Sequence, residues 1–126
     1  MNETQTNLDL KIGKKEAERL KPEKVKIVKI EIVPIGERKN EKVTCWVKHP
    51  NREEEINISS VKYESPKGKL EVSGLWFNKD EDGMIRKGSA LAVFLQHTGS
   101  ETLKQLSDKE LDTVLDDNGY LCFKAY

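Results

Sequence analysis

The sequence predicts a mainly-β fold of the α+β class: a small barrel of about five to six strands with one buried helix. Three observations predict it. Residues 24–33 (KVKIVKIEIV) and 43–48 (VTCWVK) alternate apolar and polar side chains with the period of two that a half-buried strand requires. The run from Ala90 to Leu95 is apolar nearly all round, so as a helix it must be covered on several sides. The chain ends in YLCFKAY, a β-prone segment with no polar tail, which is expected to be a buried closing strand.

The elements follow in order. Residues 1–10 are polar and read as a tail, leaving 11–126 as a single globular domain. KKEAERL at 14–20 favours one or two helical turns, which Pro22 stops. In the first strand the apolar set shifts phase, from Val25 and Ile27 to Val28, Ile30 and Ile32, as a β-bulge produces. The charged turn PIGERKNEK leads to the second strand, with Val43, Cys45 and Val47 on one face and Thr44, Trp46 and Lys48 on the other. After the loop HPNREE, the segment EEINISSVKY reads as a third strand with Ile56 and Ile58 inward. Residues 69–77 (KLEVSGLWF) follow as a fourth, in which Gly74 signals a bulge, a bend or a close approach. Ser89 is the expected N-cap of a helix over Ala90–His97, with Gly99 as its stop. Residues 101–106 are expected as a short helix. The strand 111–116 then pairs with 120–125 across the Asp116-Asp117-Asn118-Gly119 turn, although a capping box at Ser107 and Glu110 keeps a helix over 107–117 open.

Charged residues make up 35% of the 126-residue chain, against a norm of about 25%. The 22 basic and 22 acidic side chains cancel, which gives no global pull toward nucleic acid or an anionic membrane. Their placement is uneven, since residues 11–48 are predominantly basic and 101–118 predominantly acidic. The first ten residues hold no signal-like apolar run, and no segment approaches the roughly 20 apolar residues of a membrane span. A cytoplasmic location without membrane attachment is the expectation. Cys45 and Cys122 sit in strand-like runs and are expected as buried thiols; a disulfide stays open if their strands are neighbours.

Catalytic signals are sparse. The spacing of His49 and His97 from Cys45 and Cys122 suggests no Cys-His dyad, and no CxxC, HExxH, GxSxG or phosphate-loop motif occurs. Asn78, Asp80, Asp82 and Gly83 fit part of a calcium loop, but Ser89 stands where the bidentate glutamate belongs. A solvated turn is therefore the simpler reading. The expectation is a non-enzyme without cofactor or metal.

The aromatic and basic side chains make a more productive set. Trp46 lies on the polar face of its strand beside Lys48. Tyr63 follows Lys62, and of the adjacent Trp76 and Phe77 one must point away from the core. Rings that stack on bases beside lysines that follow phosphates are how single strands are held. Trp46, Lys48, Tyr63 and Trp76 are the expected platform, with Lys24, Lys26 and Lys29 along the first strand. The competing reading packs both tryptophans under loops or against the helix.

The block GSALAVFLQHTG followed by LDTVLDDNGYLCFKAY, together with the order of strands around one helix, resembles the OB-fold-like single-stranded DNA-binding proteins of phage and mobile elements. Here the helix follows the fourth candidate strand, and the acidic tail that several such proteins carry is missing. The resemblance implies an OB-like barrel that binds single-stranded DNA in replication or recombination; with the aromatic and basic set, the expected partner is single-stranded DNA or RNA, DNA foremost. The rival expectation is a protein-interaction or assembly module, recruiting a protein partner or forming a homodimer through an exposed strand edge.

Overall fold

The computed structural model describes residues 20–126, so the tail expected over 1–10 and, but for Leu20, the turns expected over 14–20 lie outside the described residues. The strands are β1 (Val25–Ile35), β2 (Asn40–Lys48), β3 (Ile56–Ile58), β4 (Ser60–Glu64), β5 (Leu70–Gly74), β6 (Glu110–Leu111), β7 (Thr113–Leu115) and β8 (Leu121–Ala125). Helix α1 (Ala90–His97) and a 3-10 turn at Leu103–Leu106 lie between β5 and β6. Only Ser59 separates β3 from β4 and only Asp112 separates β6 from β7, so eight strands trace six chain paths.

Hydrogen bonding arranges them as two sheets, ordered β3-β2-β1-β6 and β5-β4-β8-β7. All pairs are antiparallel except β4 with β8, which is parallel. At Ser59 and at Asp112 a chain path passes from one sheet to the other. Followed around, β1 pairs with β2, β2 with β3, β4 with β8, β8 with β7, and β6 with β1 again. The circuit closes into a small OB-like barrel, with β5 added outside it.

The local sequence explains the closure. The register of β1 against β2 slips between Ile27 and Lys29, so Val28 is the inserted residue of a bulge. Ile27 and Ile30 can then both face the core on a strand that bends, as the phase shift in the sequence requires. Ile27 also exchanges backbone hydrogen bonds with Asp108 and Lys109, both 3.0 Å, which brings β6 against β1.

The core is built from Val25, Ile27, Val43, Cys45, Val47, Ile58, Val61, Leu75 and Phe123, with α1 packed onto it through Leu91, Phe94 and Leu95. Phe94 stacks on Phe123 with ring centroids 4.8 Å apart. The Ser89 hydroxyl accepts the Ala92 N–H at 3.2 Å, as expected of the N-cap. At the other end Lys109 Nζ donates to the Thr98 carbonyl at 2.8 Å and to Ser100 Oγ at 2.7 Å, fixing the helix to the start of β6.

Four expectations are corrected or sharpened. The third strand is two, because the inward set changes from Ile56 and Ile58 to Val61 and Tyr63 across Ser59. The fourth strand ends at Gly74, and Leu75–Phe77 crosses to β2, where Val43 donates to Leu75 (2.7 Å) and Phe77 to Glu41 (2.8 Å). The helix expected over 101–106 is only the 3-10 turn. Residues 107–117 hold β6 and β7 rather than a helix, with the Asp116 carboxylate accepting the Asn118 and Tyr120 N–H groups at 2.9 Å. Cys45 and Cys122 are both free and buried.

Candidate functional site

Along β2 the side chains alternate. Val43, Cys45 and Val47 enter the core, so Lys42, Thr44, Trp46 and Lys48 lie on the opposite side, with Lys48 exposed, Lys42 and Trp46 half-buried and Thr44 covered by its neighbours. Register extends this outer face sideways in rows. Lys26 opposes Lys48, Lys29 opposes Trp46, Glu31 opposes Thr44, and on the other flank Asn57 of β3 opposes Trp46. The crossing segment adds a fourth row, in which Trp76 bridges Lys42. Leu75 is buried and Phe77 packs on the core, so Trp76 is the member of the Trp76–Phe77 pair that points out.

Both indoles therefore lie on one face, half-buried, four residues apart along β2 or roughly 13 Å at about 3.3 Å per residue. Thr44 sits between the rows, its hydroxyl bonded to the Asn57 side-chain oxygen. Lys42 Nζ lies 5.1 Å from the centre of the Trp76 ring, a cation–π contact. Gly74 makes this possible: a Cβ there would come within 2.8 Å of Lys42 Cε and 2.9 Å of Trp76 Nε1. Of the three readings of Gly74, close approach is the one realised.

The outward residues of β1 and β2 include Lys26, Lys29, Lys42 and Lys48 against the single carboxylate of Glu31. Lys29 and Glu31 pair at 2.7 Å, and this hydrogen bond and charge raise the Lys29 pKa above its ordinary value. Both groups are well exposed, so the pair is weak and easily exchanged for another anion.

Two concavities flank this face. One, of about 490 Å³, opens between β3 and the β7–β8 turn. β8 forms its ladder with Val61–Tyr63 of β4 and none with β3, so the walls part there. Arg52, Asn57, Asn118 and Tyr120 line it, and Tyr120 is 71% exposed. Neither Arg52 nor Tyr120 was among the expected site residues. An aromatic directly after the Asp-Asp-Asn-Gly turn was the signal for Tyr120, since a hairpin tip leaves such a ring uncovered.

The second concavity, of about 460 Å³, lies at the Lys48 end of β2 and is lined by Lys24, Lys26, Lys48 and Arg52, with Glu53 and Glu110. His49 forms its floor at 2% exposure. Its Nε2–H donates to the Lys21 carbonyl at 2.7 Å, and its Nδ1 accepts the Asn51 N–H at 3.1 Å. The ring thus ties the segment before β1 to the β2–β3 loop.

Of the expected site residues, Trp46, Lys48, Trp76, Lys26 and Lys29 are brought onto one face, and Lys24 stands at its end. Tyr63 is not. It shares the inward side of β4 with Val61 and packs on the core, because the phase change at Ser59 turned the odd-numbered residues inward. Lys42 joins the face instead, carried there by the same alternation that presents Trp46.

No family model, curated protein or solved structure matches this chain.

Other chemistry on the chain is committed to structure. Burial pushes the Cys45 thiol up to about 12. Burial, then the Asp116 charge, pushes Cys122 up to about 11. Both are protonated at neutral pH and poor nucleophiles. In the acidic turn the Asp80 carboxylate accepts the Asp82 and Met84 N–H groups at 2.9 Å, within a small hairpin closed by the Lys79–Ile85 bridge. Among the described residues no cluster of three or more His, Cys, Asp or Glu is placed to hold a metal, and no helix is long and apolar enough to cross a membrane.

Proposed function

We propose that this protein is a non-catalytic module that binds single-stranded nucleic acid, DNA foremost, across the outer face of β1 and β2. The observation that carries the reading is the pair of outward indoles, Trp46 and Trp76, set in a field of lysines. Both rings remain partly exposed, and a base is a flat partner for an exposed ring. Stacking contributes about 1–3 kcal/mol per base and tolerates any sequence. Lys26, Lys29, Lys42 and Lys48 alternate with the rings and would meet phosphates along the same path. The path from the Trp76 row at Lys42 to Lys48 is six steps along β2, roughly 20 Å at about 3.3 Å each. That is roughly six stacked nucleotides at ~3.4 Å apiece, within the 4–16 or so that such barrels occupy.

The test is affinity for a short single strand after Trp46→Ala and Trp76→Ala. Each variant loses roughly 5- to 140-fold in Kd, which is ~1–3 kcal/mol at about 1.4 kcal/mol per tenfold. Parent-like binding by both variants overturns the reading.

One observation favours a second reading. β5 pairs only with β4, leaving its other edge open among the described residues, and it exposes Leu70 by 49% and Val72 by 42%. A protein strand added there would make this an assembly module. A chain that binds no single strand but doubles its mass in solution would decide for it.

A further inference from the structure

We infer that the concavity formed by Lys24, Lys26, Lys48 and Arg52 takes a terminal phosphomonoester, so that the bound strand ends there; this rests on the nucleic-acid reading above. Four cations face two carboxylates, Glu53 and Glu110, which leaves a net charge of +2 in a space of about 460 Å³. Lys26 and Lys48 are direct cross-strand partners, an arrangement of like charges that costs stability. Among the described residues none of the four cations forms a salt bridge. An anion that enters relieves their repulsion.

The net charge selects the kind of anion. An internal phosphodiester carries one negative charge, whereas a phosphomonoester carries close to two at neutral pH. The surroundings make the place an end of the path. Beyond Lys48 the β2–β3 loop presents Glu53, Glu54 and Glu55, all exposed, and beyond Lys26 stands its β6 partner Glu110 with exposed Asp112 two residues further. A polyanion that runs along the lysines from Trp76 past Trp46 meets carboxylates on both continuations. The floor is built rather than mobile surface, because buried His49 fixes the Lys21 carbonyl and the Asn51 N–H on its two ring nitrogens. Lys24 lies three residues after Lys21 and Arg52 directly after Asn51, so both lining residues are tethered close to these anchors.

The experiment compares three versions of one six-nucleotide single strand: a 5′-phosphate, a 3′-phosphate, or hydroxyls at both ends. Inorganic phosphate is titrated separately by NMR. One phosphorylated version binds about tenfold tighter than the hydroxyl version, the value of one or more hydrogen bonds to a charged group. Which version it is gives the polarity of the bound strand. The double variant Lys26→Ala, Lys48→Ala brings that ratio close to one, whereas Trp46→Ala weakens all three versions and keeps the ratio. Inorganic phosphate shifts the amide signals around Lys48, His49 and Arg52. Equal binding of all three strands by the parent overturns the inference and leaves the nucleic-acid reading intact. Failure of every strand to bind removes the nucleic-acid reading, and phosphate that moves no signal near His49 then removes the anion site as well.

Discussion

Replacing Gly74 by alanine tests how the outer face is built without removing any of its functional groups. The new Cβ would sit 2.9 Å from Trp76 Nε1 and 2.8 Å from Lys42 Cε, where ordinary contact begins at 3.4 Å. The indole must therefore yield by about 0.5 Å and the Lys42 Cε by about 0.6 Å. A gap of that size forfeits a quarter to a half of a contact's attraction. Applied to a stack of about 1–3 kcal/mol, the loss is roughly 0.25–1.5 kcal/mol, or about 1.5- to 12-fold in Kd. Stability moves the other way or not at all, because alanine in a strand gains ~0.5–1 kcal/mol over glycine and this offsets the local crowding. The assay is a binding titration of Gly74→Ala beside Trp76→Ala, with urea midpoints for both. A Gly74→Ala protein that binds as the parent does, while Trp76→Ala is weakened, would refute the close-approach argument. One that loses more than Trp76→Ala would show that the glycine acts by some route other than the indole.

Four other expectations follow from the same structure. Lys26→Ala and Lys48→Ala each reduce the slope of log affinity against log salt by about 0.7 for a single strand, measured from 50 to 200 mM; an unchanged slope places those lysines off the phosphate path. The thiols of Cys45 and Cys122 react with an aromatic disulfide far more slowly in the folded chain than in urea at pH 8, and fast stoichiometric labelling of the folded chain would contradict their burial. Because both are pushed up from 9.0, to about 12 and about 11, the folded chain keeps protons that the unfolded chain releases. Their contribution is complete below pH 9, falls as pH rises above 9.0 and is gone once pH has passed about 11 and about 12, so the urea midpoint falls between those limits. Phe94→Ala removes the ring stacked on Phe123 and costs about 3–5 kcal/mol in urea unfolding; a cost below ~1 kcal/mol would mean that α1 does not seal the core.

Much of this architecture was legible because it is written in local periodicity. The phase shift between Ile27 and Ile30 marked the bulge, and Ser89 with Gly99 bounded the helix, since caps and bulges are set by residues a few positions apart. The same logic was available at Ser59 and was missed. Ile56 and Ile58 change parity to Val61 and Tyr63, and reading the segment as one strand left Tyr63 on the wrong side. The departure of Leu75–Phe77 from β4 to β2 was not legible, because it depends on hydrogen bonds to Glu41 and Val43, more than thirty residues away. The alternation along β2 already puts Lys42 on the face of Trp46, but its contact with Trp76 arises only through that crossing. Arg52 and the concavity at Lys48 depend on where two loops meet, and the sequence shows only that each is polar. The role of His49 was likewise hidden, since nothing near it in sequence indicates that Lys21 lies against its ring.

The most direct measurement is tryptophan fluorescence of the intact chain during titration with a mixed-sequence single-stranded DNA, at 50 and 200 mM salt. Trp46 and Trp76 are its two indoles, and both lie on the proposed path. Saturable quenching that weakens steeply with salt is the predicted result, from stacking and phosphate contacts together. Unaltered emission at both salt concentrations would contradict the account, because no base could then be lying on that face.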